Sequence, residues 1–282
     1  MPATSAWLLA SVLLGQIPAA PENNSGAQPP GAAASALADF QRDVRDYVIT
    51  MAGAKPAALE LVERPLLHWG NPARNGEDGA VFVWLKDGRP ETVGSVFTYR
   101  DRRRDMVLRK HAFHSLSDSP LTAEFQSRLI WSPKLAGVKF APVPAAEPPA
   151  EDARRRLTQM RSLARQFSVT MVDLKEEKSE LRLMTQPLLR YEPTAGPAVD
   201  GAIFAFAVAT DPEALLLLEA RKNGSELRWE FAFARFHFIT LSAQHHGKEV
   251  WRVEPDMDMM RTIFGNDPQQ REKVYYSVLA PQ

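Results

Sequence analysis

The chain has 282 residues, 45% of them apolar and 24% charged, with 34 basic and 34 acidic side chains and no cysteine. That length buries a real core as one large domain or two ordinary ones, and zero net charge removes any whole-molecule attraction to nucleic acid or an anionic membrane. The missing cysteine excludes a disulfide frame, a thiol nucleophile and a thiolate-built zinc site.

The N-terminus opens with a short apolar run, Ala6 to Leu14, about half the length that spans a bilayer. Small residues follow, ending in Ala19 and Ala20. The pattern predicts a signal peptide over 1–20, although no Lys or Arg precedes the apolar run. The Pro-, Gly- and Ala-rich stretch 21–35 predicts a disordered leader. The expected setting is secreted or periplasmic, with no transmembrane segment once the signal is removed.

Beyond the leader an internal similarity appears. Leu59 to Trp69 aligns with Leu181 to Tyr191 at a shift of 122. The match runs on through Asp78-Gly79 against Asp200-Gly201 and Pro90-Glu91 against Pro212-Glu213. Over residues 59–91, 12 of 33 positions are identical, where unrelated segments give only a few. The expectation is an α+β fold made by tandem duplication, each copy one N-terminal helix packed on an antiparallel sheet of four to six strands. The first repeat spans 36–140 and the second 154–254. A Pro-rich linker, 141–153, joins them, and 255–282 forms a C-terminal tail.

In each copy, apolar residues at three- and four-residue steps predict the helix. Leu37, Phe40, Val44, Tyr47, Val48 and Met51 form one face, and Leu157, Met160, Leu163, Ala164, Phe167 and Met171 the other. Gly79–Leu85 and Gly201–Val208 predict strands, each read as following an Asp-Gly turn. Val93–Tyr99, Ala214–Glu219 and the alternating Leu227–Phe238 predict further strands. Gly247-Lys248 marks a hairpin turn. The glycine and proline pairs kept in both copies point to backbone geometry: turns at Gly79 and Gly201, strand starts at the prolines.

Common catalytic signatures are absent: no phosphate-binding glycine loop, no His-Glu-x-x-His and no nucleophile elbow. His111 and His114 fall on opposite faces of a strand and cannot share a metal. His245 and His246 precede the Gly247-Lys248 turn and Glu249 follows it, so the hairpin tip is a candidate metal site with no apparent third ligand. The loop from His68 to Glu77 differs between the copies. It offers His68, Arg74 and Glu77 as candidate catalytic residues. The basic clusters at Arg100–Arg104, Arg109-Lys110 and Arg154–Arg156 read as solvated surface.

The runs PLLHWGNPARNGEDGAVFVW, FHSLSDSPL and PLLRYEPTAGPAVDGAIFAFAVATDPEALLLLEAR resemble an uncharacterised family of secreted planctomycete bacterial proteins, over about 36–254. The resemblance implies a secreted bacterial setting and transfers no activity or site. The expected function is a non-catalytic binding or envelope-associated interaction protein without a cofactor. Its partner is a small ligand or an envelope protein, not nucleic acid, with a groove between the two copies as the binding place. The alternative is a hydrolase or metal-assisted enzyme using one of the two histidine-containing loops.

Overall fold

The structure, a computed structural model, describes residues 30–53, 55–71, 77–101, 105–261 and 268–281. The signal-peptide expectation therefore lies outside the described residues. The leader does too, apart from its last six residues, 30–35, which begin a helix.

That helix, α1 (Pro30–Arg45), leads into β1 (Tyr47–Met51), β2 (Ala57–Ala58), β3 (Glu60–Asn71) and β4 (Glu77–Lys86). Next come β5 (Arg89–Asp101), β6 (Met106–Ser115), β7 (Leu121–Phe125), β8 (Arg128–Trp131) and the two-residue β9 (Ala141–Pro142). A second helix, α2 (Ala153–Ala164), precedes β10 (Phe167–Val172), β11 (Lys178–Tyr191), β12 (Ala198–Val208) and β13 (Asp211–Asn223). The chain ends with β14 (Glu226–Arg235), β15 (Thr240–His245), β16 (Lys248–Val253), the short α3 (Met257–Arg261), a 3-10 turn (Pro268–Glu272) and β17 (Tyr275–Leu279).

The expected fold is corrected on two counts. Among the described residues the chain is mainly β, with 58% strand and 13% helix, and it does not form tandem helix-plus-sheet modules. The strands make three antiparallel sheets instead. One has four strands in the order β2-β1-β7-β8, and another has five in the order β17-β6-β5-β4-β3. The third is an eight-stranded half-barrel ordered β16-β15-β10-β11-β12-β13-β14-β9. The tail supplies β17 to the five-stranded sheet, and the proline-rich segment supplies β9 to the half-barrel.

The physical reason is burial on both faces. A sheet covered by a helix on one side needs alternating strands, yet β12 and β13 are buried almost continuously. On β12, Ala202, Phe204 and Phe206 point into a core beneath α2, while Ile203 and Ala205 point the other way. There they meet Val81, Val93 and Trp69 of the five-stranded sheet, with Leu215 and Leu217 beside them. On the far side of that sheet, Phe82, Trp84 and Phe113 pack with Phe40 and Val44 of α1. The layers run α1, sheet, sheet, α2. Each large side chain buried between them contributes about 1.5–3 kcal/mol.

Both main helices end earlier than their apolar spacing predicts. Tyr47–Met51 and Phe167–Val172 are strands with alternating burial. Val48, Ile49 and Thr50 in one, and Val169 and Thr170 in the other, are β-branched and favour the pleat. Asp152 caps α2, accepting the backbone N–H of Arg155 at 2.9 Å.

Pro90 and Pro212 stand at the starts of β5 and β13 as expected, but the other two paired prolines and both glycines act differently. Pro65 and Pro187 sit where the β3–β4 and β11–β12 registers shift, at bulges, where a missing N–H costs no ladder bond. Asp78-Gly79 and Asp200-Gly201 are not turns but lie inside β4 and β12. A Cβ on Gly79 would stand 2.4 Å from the Trp69 ring, and one on Gly201 would stand 2.5 Å from the Tyr191 ring. These glycines exist to let an aromatic ring lie on the strand. Left-handed backbone at Asp87 and Gly88 makes the β4–β5 turn.

Candidate functional site

A groove of about 1330 Å³ opens between the half-barrel and the five-stranded sheet. Phe233 and Arg235 of β14 and Trp251 and Val253 of β16 form one wall. Tyr275 of β17, His114 of β6 and residues 134–140 form the opposite side. The rings of Phe233 and Trp251 stack at 5.2 Å.

The charges at the groove's edge are committed to one another. Glu219 is fully buried and accepts from the Tyr191 hydroxyl at 2.8 Å, Arg89 at 3.1 Å and Arg221 at 2.6 Å. Arg221 reaches on to Glu230 at 3.2 Å, which also pairs with Arg228. Arg89 bridges back to Glu91 at 3.0 Å. Three cations and three anions thus form a neutral chain across the seam of the sheets. Burial alone would lower the Arg89 pKa, but the Glu219 and Glu91 carboxylates outweigh it and hold it raised. Burial pushes the Glu91 carboxyl up, against the pull of Arg89. The Phe140 ring lies 4.4 Å from the Arg221 guanidinium and 5.6 Å from that of Arg89, a cation–π contact on the groove side.

Arg235 is held differently. Its guanidinium donates to the carbonyls of His237 at 2.7 Å, Ile239 at 2.8 Å and Glu254 at 3.0 Å, and lies over the Tyr275 ring. Burial lowers its pKa. His114 is buried nearby, and its Nδ1 lies 2.7 Å from the Ser115 carbonyl. A carbonyl only accepts, so Nδ1 carries the hydrogen and Nε2 is the acceptor nitrogen. Burial pulls the His114 pKa down to about 4.

A second, smaller cavity of about 140 Å³ adjoins the groove at Tyr275. Trp69, Phe97, Phe236 and Phe238 wall it, with Ser95, Lys110 and Asp211 as polar members. It is close in size to a cavity that holds one benzene-sized molecule.

The structure disperses the residues singled out from the sequence. His68 Nε2 stands 2.9 Å from Asp78 Oδ1, so its partner is a strand residue rather than the loop. Arg74 lies outside the described residues. Glu77 starts β4 opposite Asn71, and its side chain also lies outside them. At the hairpin tip, His245 and His246 both turn Nε2 toward Gln166 Oε1, at 3.0 and 3.3 Å. An amide oxygen accepts, so both nitrogens donate and neither presents a lone pair there to a cation. Glu249 faces Gln244 across the strands and pairs with Arg252 at 3.8 Å. Among the described residues, no group of three or more His, Asp and Glu side chains could hold a metal ion. No helix among them is long and apolar enough to cross a membrane.

Two basic residues read as surface, Lys110 and Arg156, are internal. Arg156 donates to fully buried Asp200 at 2.7 Å, where Arg190 also donates at 2.8 Å. His111 bridges Asp43 and the Tyr47 hydroxyl, each at 2.9 Å, beneath α1, on the opposite face of β6 from His114. Of the groove residues, Phe233 and Arg235 were visible as same-side positions of an alternating strand. Nothing in the sequence joined Trp251 or Tyr275 to them, because their meeting depends on how the sheets stack.

Comparison with known proteins finds no matching family model, no similar curated protein and no similar solved structure.

Proposed function

We propose that this protein is an exported, non-catalytic binding protein whose ligand lies in the groove between the half-barrel and the five-stranded sheet. The observation that carries the reading is the groove itself. It is a large concavity with aromatic walls, where Arg221–Glu230 and Lys273–Asp256 are already paired. Side chains so committed suit orientation of a ligand better than proton transfer. The exported setting is supported by the apolar run at Ala6–Leu14 and by the resemblance to secreted planctomycete proteins.

The test is titration with 8-anilinonaphthalene-1-sulfonate, a dye that fluoresces in apolar clefts. Saturable binding at one site is expected for the native protein. It is expected to be lost in Ala136→Trp, which puts a bulky ring at an exposed groove position, and kept in Leu174→Trp, a remote exposed site. Equal binding by all three proteins would remove the groove from the reading.

A further inference from the structure

The edge of the half-barrel inside this groove is unfinished. In the β13–β14 hairpin, Gly224-Ser225 make a two-residue turn closed by Asn223 and Glu226. Ladder bonds in an antiparallel pair fall on alternate residues, so counting from this closing pair sets the phase. Glu226, Arg228, Glu230, Ala232 and Ala234 face β13, and the bond from Phe236 N–H to the Glu213 carbonyl at 2.8 Å continues that phase. Trp229, Phe231, Phe233 and Arg235 therefore turn their backbone groups outward. The Trp229 carbonyl accepts from Val143 N–H at 2.9 Å, and β9 covers Phe231 through Ala141. Among the described residues the pairing stops there. The chain before Ala141 leaves the edge: Phe140 packs by the seam arginines, Val138 enters the inter-sheet core, and Gly137 N–H bonds the Ser117 carbonyl in the loop after β6. The groove opens at this fork, with the outward N–H and C=O groups of Phe233 and Arg235 along it.

We propose that the groove takes one extended polypeptide segment of mainly apolar side chains, which adds to β14 as a short strand beyond β9, along Phe233–Arg235. The inference rests on the groove being the binding site and names the class of its ligand. Strand addition matches the chemistry offered: backbone donors and acceptors two residues apart, which another backbone satisfies in register. Both faces of the added strand would meet apolar groups. Phe233, Trp251 and Val253 lie on one side, and Val138 and Phe140 on the other. The opposite edge of the half-barrel is built to refuse a partner. β16 exposes Lys248, Glu249 and Arg252, the charges that guard an edge. The open part of β14 carries one charge, Arg235, whose guanidinium is turned onto the His237, Ile239 and Glu254 carbonyls rather than along the edge, and it lies inside a groove walled on both sides. That favours a peptide over another copy of this protein.

The experiment is amide hydrogen exchange on the full chain, with a pool of capped hexapeptides. Their four central positions vary over Ala, Val, Ile, Leu and Phe between terminal lysines. The expected result is that some members slow exchange at Phe233 and Arg235 by at least ~10-fold and leave Ala234 unchanged. N-methylating alternate peptide residues should abolish the effect, and Ala136→Trp should too. Slowing that survives N-methylation in every register would overturn strand addition. Dye binding in the groove with no slowing by any peptide would overturn the peptide class and leave the groove as a site. Absence of both would overturn the inference and the proposed function together.

Discussion

Replacing Gly201 by Ala tests the claim that this glycine makes room for a ring. The added Cβ would lie 2.5 Å from Tyr191 Cζ, against an ordinary carbon contact of about 3.5–4.0 Å. The ring must therefore move by about 1 Å. It is not free to do so, because its hydroxyl donates to fully buried Glu219 at 2.8 Å and the ring packs in the inter-sheet core. Overpacking of this kind costs about 1–3 kcal/mol. Loss of a hydrogen bond to a charged acceptor adds about 1.5–3 kcal/mol. Reduced freedom of the unfolded chain returns about 0.4–1 kcal/mol. The expected net destabilisation is roughly 2–5 kcal/mol, read as a lower urea midpoint at unchanged slope. A double-mutant cycle isolates the cause. In a Tyr191→Ala background the obstacle is gone, and Gly201→Ala should cost less than about 1 kcal/mol. The same cost in both backgrounds would show that the ring is not what the glycine accommodates.

Two further outcomes follow from the buried charges. Asp200→Ala leaves Arg156 and Arg190 facing each other without their carboxylate, an expected loss of about 3–5 kcal/mol. Asp78→Ala breaks a pair with the partly exposed His68 and should cost less than about 1 kcal/mol. Equal shifts in Tm by calorimetry would contradict the contrast. His114 governs an acid limb of stability. Its folded pKa of about 4 lies below the ordinary 6.5, so below pH 6.5 the unfolded chain takes a proton that the folded chain refuses. Stability contributed by neutral His114 is complete above pH 6.5 and falls by about 3 kcal/mol on the way to pH 4. His114→Gln should flatten that part of the curve relative to the native protein, and parallel curves would refute the assignment.

Much of the local structure was legible in the sequence. Gly79–Leu85 and Gly201–Val208 lie within β4 and β12, and the alternation from Leu227 lies in β14, because a pleated strand repeats every two residues whatever its neighbours do. The start of α2 was legible too, but not the start of α1, which reaches back to Pro30 in the expected leader, and not the end of either helix. Tyr47 and Phe167 satisfy helical spacing and strand alternation alike, and pairing with β7 and β15 decided for strand. Of the candidate site, only one wall was visible as a same-side series.

The sequence by itself determined where strands alternate, and that Asp78, Gly79, Asp200 and Gly201 carry constraint. Periodicity and residue chemistry act over neighbours in the chain. Only the tertiary structure decided the rest. It set two sheets back to back, drew the tail and the proline-rich segment into them, and turned aligned glycines into seats for Trp69 and Tyr191. Among the described residues it also left the edge of β14 open inside a groove. Each of these depends on which faces bury each other, a choice made by the total apolar surface removed from water and not by any segment alone.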